Sequence, residues 1–324
     1  MRQILLKSYI YNIVLPNYFR ERIMREKSPV FYKVLMLFLL VFINKAVVFG
    51  QELTIHAHRG GAALYPENTI ESMLHAVSIG VRAIEFDLHI SSDHKVVVSH
   101  DFYINSAKAL DPEGKGIGSL KQFYLRLYSM PYKEIMTYDV GSLAQEEYPE
   151  RKNFKAHIPL LSDLIDQVEA QTVRNGMEPV TYTIEIKSHR FKDGLLTPHY
   201  TDFVELVMAV LLPYQLEERL IIQSFDVRTL NYIHKTYPTI QLSYLFKGKK
   251  RSVENQLKRL GFTPSYYSPH FKLVDKALVE DAHRKGMFVV PWTVDDRNEA
   301  IRLQGLGVDG LITNYPHRMQ EWVN

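Results

Sequence analysis

From residue 53 onward, short apolar and β-branched runs alternate with stretches of helical periodicity, and this rhythm leaves the chain few folds to choose from. "LTIHAHRG" (53–60) reads as a strand. Residues 67–79, "ENTIESMLHAVSI", read as a helix, with Ile70, Met73, Leu74 and Val77 at helical spacing. Asn68 with Glu71 three positions later resembles a capping box, and Gly80 ends the helix. The strand "RAIEFDLHI" follows, with "KVVVSH" (95–100) as a hairpin partner. From "PLLSDLIDQVEAQ" to "VDGLITNY" the alternation then runs on to the end of the chain. Counting 95–100 as an excursion, eight strands alternate with helices. That pattern predicts a parallel sheet closed into a (β/α)8 TIM barrel. A doubly wound open sheet is the runner-up, but "HRGGAALYPEN" lacks the glycine spacing of a dinucleotide turn.

Residues 101–157 break the rhythm with "DPEGKGIG", several tyrosines and "YDVGS". The segment is too long for a strand-to-helix loop, so a small insertion with structure of its own is expected after the second strand and its hairpin. The first fifty residues also differ. "VLMLFLLVFI" (34–43) is an apolar run behind Lys27 and Lys33, about half the length that spans a bilayer. It reads as a signal peptide cut after Gly50, which predicts a secreted or periplasmic protein, with an uncleaved membrane tether as the alternative. Met24 would open a more ordinary leader, so residues 1–23 read as a misassigned start. Residues 1–50 carry 8 Lys/Arg and 2 Asp/Glu, leaving 31 and 34 in residues 51–324, a net −3. No basic excess points to a nucleic-acid partner. The absence of cysteine excludes a disulfide scaffold or a thiolate metal site.

In a (β/α)8 barrel, chemistry gathers at the C-terminal ends of the strands. Here those ends read His58-Arg59, Glu85-x-Asp87, His100-Asp101, Glu185-x-Lys187, Gln223-Ser224, Ser268-His270, Trp292-Thr293 and Thr313-Asn314. Glu85 and Asp87 share one face of their strand, with Ile84, Phe86 and Leu88 on the other. With Glu185 they place three carboxylates at one rim, where unpaired charges would repel. A divalent cation resolves the conflict, and all-oxygen ligands favour Mg2+ or Ca2+. The competing account pairs the carboxylates with Arg59, Arg82 or Lys187 as plain salt bridges. His58 and His100 suit an acid–base pair. His56, one step deeper, reads as a support, and His75, His94, His189 and His234 read as surface residues. Arg59 and Lys187 beside the carboxylates suit a phosphate-like anion.

Taken together, "HRGGAALYPENT", "EFDLHISSDHKVVVSHD", "IEIK", "QSF", "PWTVDD" and "GVDGLITNYP" resemble the successive motifs of the glycerophosphodiester phosphodiesterases, in order, over residues 56–316. The resemblance implies a metal-dependent barrel that hydrolyses a small glycerophosphodiester to sn-glycerol 3-phosphate and an alcohol. It implies His58 and His100 as catalytic pair, Glu85, Asp87 and Glu185 as metal ligands, Arg59 and Lys187 as phosphate contacts, and Trp292 as an aromatic near the glycerol. Asp295 stands where the family often has Asn, which puts contacts on the substrate side in question. Three rival readings remain. One is phospholipase-like cleavage of a membrane phosphodiester, with "FYLRLYSMPY" as an apolar rim. Another is a glycosidase using Glu85 and Glu185, and the third is a barrel that binds phosphate esters without turnover.

Overall fold

The computed structural model describes residues 53–249 and 252–323, so the leader, cleavage and start-site readings lie outside the described residues. No helix among the described residues is long and apolar enough to cross a membrane. The described residues form nine strands: β1 (Thr54–His58), β2 (Ala83–Ile90), β3 (Val96–Val98), β4 (Thr181–Ile186), β5 (Leu220–Ser224), β6 (Gln241–Phe246), β7 (Tyr266–Pro269), β8 (Phe288–Val289) and β9 (Gly310–Thr313). All but β3 run parallel, in the order β8-β7-β6-β5-β4-β2-β1-β9. β3 folds back antiparallel on β2, with Val98 opposite Leu88, as the hairpin reading expects. β8 is cut short by Pro291, which has no N–H to give. Backbone bonds still cross the last seam, from Asp309 N to Val289 O (2.9 Å), Ile312 N to Pro291 O (3.0 Å) and Val294 N to Ile312 O (2.9 Å). The result is the expected barrel, nearly closed.

A helix follows each barrel strand: α1 (Ile70–Ser78), α2 (Leu161–Arg174), α3 (Tyr200–Leu211), α4 (Val227–Thr236), α5 (Val253–Leu260), α6 (Lys276–Arg284), α7 (Arg297–Gly305) and α8 (Pro316–Trp322). The cap of α1 differs from the sequence reading. Thr69, not Asn68, caps it, accepting from Ser72 N while the Ser72 hydroxyl takes the Thr69 N–H. Asn68 is in the left-handed region (φ 57°), and its amide is spent on Asp87 instead.

Ile84, Phe86 and Leu88 of β2 join Met73 of α1 and Leu164 of α2 in one buried apolar cluster between strands and helices. The inner face of the barrel, by contrast, is polar. Thr183 bonds His56 at 2.9 Å and Ser243 bonds Ser268 at 2.8 Å, and such mutual pairing lets these groups stay buried. Residues 101–157 contribute Ile104, Leu127, Met130 and Ile135 to a second apolar cluster, which also takes in Val97 of β3. "YDVGS" is a structural turn there. Asp139 Oδ1 accepts from the backbone N–H groups of Gly141 (3.0 Å), Ser142 (3.1 Å) and Ala156 (3.3 Å). A Cβ at residue 141 would collide with the Phe154 carbonyl, so only glycine fits.

Candidate active site

Strand register assembles the acidic centre. His58 lies opposite Glu85 across β1–β2, Asp87 opposite Glu185 across β2–β4, and Glu185 opposite Gln223 across β4–β5. Ligand atoms of Glu85, Asp87 and Glu185 fall within 4.8 Å of one another, and all three residues are buried. The chain leaving β1 turns back on itself through three left-handed residues, Arg59 (φ 51°), Gly60 (φ 82°) and Gly61 (φ 87°). That path aims Arg59 N at Glu85 Oε2 (3.0 Å). A Cβ at residue 60 would strike Ser72, so the turn also requires glycine on steric grounds.

The three carboxylates do not share their partners evenly. Lys187 Nζ lies 3.0 Å from both Asp87 Oδ1 and Glu185 Oε2. Arg59 reaches Glu67 at 3.0 Å and brings its Nε to 3.4 Å from Asp87 Oδ2 without hydrogen bonding it. Asn68 Nδ2 donates to Asp87 Oδ2 at 2.9 Å. Glu85 receives only neutral donors, Arg59 N and Gln223 Nε2 (2.7 Å). Burial, then the charges of Asp87 and Glu185, hold the Glu85 carboxyl well above its usual range. Burial acts on Asp87 in the same direction, but Lys187, His100, Arg59 and His58 outweigh it and hold that carboxyl well below. Glu185 is raised, chiefly by burial, with Lys187 opposing. The plain salt-bridge account therefore covers Asp87 and Glu185 in part, and among the described residues no Lys or Arg side chain pairs directly with Glu85. Gln223 Oε1, buried beside it, has no hydrogen-bond donor. An oxygen-rich, cation-deficient cluster of this kind fits a hard divalent ion.

A cavity of ≈ 240 Å3 opens over this centre, and His58, Arg59, Glu85, His100, Glu185, Lys187 and Trp292 all line it. Asp87 is buried beside the other two carboxylates. His58 Nε2 is 4.0 Å from Glu85 Oε2, and its Nδ1 is 2.6 Å from Asn314 Oδ1. Burial, then Arg59, pushes the His58 imidazole down to about 3. His100 Nδ1 is 3.1 Å from Asp101 Oδ1. Lys108 links that carboxylate (3.7 Å) to Glu67 (2.7 Å). The indole N–H of Trp292 is taken by Ser268 O (2.8 Å), so its ring faces the cavity and packs edge-on against Phe225 at 5.3 Å.

Other readings need adjusting. Asp295 does not line the cavity. It accepts from Asn314 N (2.8 Å), Asn314 Nδ2 (2.7 Å) and Thr313 Oγ1 (3.1 Å), behind His58. His56 touches Thr183, not the carboxylates. His94, His189 and His234 are exposed, but His75 is half-buried and stacks on Tyr65 at 4.2 Å. Asn68, Glu67, Gln223 and Asn314 carry no individual catalytic or binding role in the sequence reading. Gln223 and Asn314 stand at strand ends, which is a usable signal, whereas Asn68 and Glu67 lie in the turn before α1 and give none.

Comparison with known proteins identifies the lineage. The family model described as the glycerophosphoryl diester phosphodiesterase family matches residues 58–318. A glycerophosphodiester phosphodiesterase of Caldanaerobacter subterraneus is 28% identical over 264 residues, covering 81% of this chain and 94% of that protein. Rat lysophospholipase D GDPD1 is 23% identical, covering 83% of this chain and 85% of that protein. A crystal structure from Silicibacter pomeroyi, a putative glycerophosphoryl diester phosphodiesterase, superimposes with TM-score 0.74 at 28% identity, covering 84% and 93%. An Oleispira antarctica phosphodiesterase in complex with its product sn-glycerol-3-phosphate shares the fold (TM-score 0.64, 22% identity, 83% and 96% coverage).

Proposed function

This chain belongs to the glycerophosphoryl diester phosphodiesterase family, and we propose that it hydrolyses small glycerophosphodiesters to sn-glycerol 3-phosphate and an alcohol. The observation that carries this reading is one cavity, lined by two histidines and two cations, that opens over a buried carboxylate triad. Lys187 and Arg59 hold the anionic phosphoryl group and stabilise charge that grows on its oxygens during attack. One histidine takes the proton of the attacking hydroxyl, and the other protonates the departing alkoxide. Trp292 and Phe225 form an aromatic wall that orients the organic part of the substrate. Glu85, Asp87 and Glu185 would hold a divalent ion, Mg2+ or Ca2+, which when bound supplies charge neutralisation at the phosphate.

The test is turnover of glycerophosphocholine by the purified protein, before chelation, after it, and after Mg2+ or Ca2+ is restored. Equimolar glycerol 3-phosphate and choline, lost on chelation and regained with metal, is the expected result. Full turnover by a Glu85→Ala/Asp87→Ala double variant would sink the scheme, and chelator-insensitive cleavage of a glycoside would favour the glycosidase. A second reading, cleavage of a phosphodiester within a membrane, draws on Leu120, Phe123 and Tyr124, which the insertion leaves exposed. Faster turnover of vesicle lipid than of soluble diester would favour it. Export through the 34–43 apolar run is part of the same proposal, and N-terminal sequencing that finds a start far from Gln51 would refute the cleavage site.

A further inference from the structure

We propose that Asp295 and Asn314 are positioning residues that fix the tautomer of His58 and so make it the proton acceptor of the reaction. This rests on the function proposed above and assigns a role that reading leaves open. Asp295 Oδ1 is occupied by the backbone N–H of Asn314 (2.8 Å) and the Thr313 hydroxyl (3.1 Å), while Oδ2 faces Asn314 Nδ2 (2.7 Å). A carboxylate only accepts, so the Asn314 amide must turn its NH2 toward Asp295 and its carbonyl toward His58. A carbonyl also only accepts, so His58 must carry its hydrogen on Nδ1, 2.6 Å from Asn314 Oδ1. The lone pair is then on Nε2, the nitrogen 4.0 Å from Glu85 Oε2, at the cavity. In the reaction Nε2 takes the proton of the attacking O–H, and the resulting imidazolium keeps its Nδ1–H on Asn314. The proton donor to the leaving oxygen is therefore His100, whose Nδ1 is turned to Asp101.

Two measurements test this. In chelated wild-type protein with 15N-labelled histidine, His58 is expected to show a protonated Nδ1 and an unprotonated Nε2; the reverse pattern overturns the proposal. This holds whether or not glycerophosphodiesters are substrates, so the two readings fail separately. The second test exchanges the pair. Asn314→Asp alone sets two carboxylates face to face and is expected to lower kcat by about 100-fold with KM within about twofold. Adding Asp295→Asn to that variant restores every bond with the donor reversed. Asn at 295 keeps its oxygen on the two outer donors and gives its NH2 to the new carboxylate, which still accepts from His58. Recovery of at least about tenfold in kcat is expected. Wild-type kcat in Asn314→Asp, or a double variant that melts with the single one yet is no more active, would refute the assignment. If neither variant folds, the wild-type spectrum decides alone.

Discussion

The two histidines reach one cavity from opposite kinds of support. His58 ends β1, is only 14% exposed, and is tied to Asn314 just past β9, so the barrel itself sets its direction. His100 follows β3, is about a third exposed, and leans on Asp101, which Asn105 and Lys108 hold in turn at the edge of the insertion. The difference separates what the barrel imposes from what a separately packed neighbour sets. Under the proposed function, the barrel-held member would suit proton abstraction and the member beside the insertion would suit protonation of the leaving oxygen.

The largest expected effects come from the histidines themselves. Replacing either with Asn should lower kcat by about 10²–10⁴-fold. Added imidazole should restore His100→Gly more than His58→Gly, because the side chains are 32% and 14% exposed. Equal rescue would erase the contrast. Next, Leu127→Ala empties a fully buried site in the insertion cluster and should cost about 2–5 kcal/mol in denaturant unfolding. Its 15N spectrum should leave His58 unmoved; a shifted His58 would show that the two supports are one. Glu67 sits between them. Burial raises its carboxyl, but Arg59 and Lys108 prevail and hold it at about 2, against 4.5 ordinarily. Its folded-state value is depressed, so its stabilisation is present above pH 4.5 and is lost as pH falls through about 2. Glu67→Gln should flatten the fall in Tm across that window, an effect on the order of 1–2 kcal/mol. Smallest is Lys108→Met, which removes a partly exposed cation over Glu67 and Asp101. About 1 kcal/mol, or roughly a fivefold loss of kcat, is expected, with the His58 tautomer unchanged.

The barrel was legible because eight repeats of one pattern leave a strong periodic signal, and the carboxylate centre because the two-residue period of a strand puts Glu85 and Asp87 on one face. Parallel register then brings Glu185 opposite Asp87, which the order of the strands already implied. What the sequence hid is carried by single amide contacts between distant positions. Asn314 meets His58 across 256 residues, and Asp295, which motif position assigned to the substrate, turned out to face that amide. Asn68 with Glu71 three positions later matches a capping box in sequence, yet Thr69 with Ser72 makes the cap. The Asn68 backbone is left-handed, its N–H bonds Arg59 O at 2.9 Å and its side-chain amide reaches Asp87, none of which leaves a periodic trace.

His58 ends the first stave of the ring, β1, and Asn314 directly follows the last, β9. A nascent chain that has made all three buried carboxylates, both imidazoles and the lysine still lacks the amide that aims one of them. Activity should therefore appear only when the final stave docks beside the first, late in synthesis, which makes catalysis a reporter of ring closure. Truncation before residue 310 would silence the protein while leaving its acidic centre written in full.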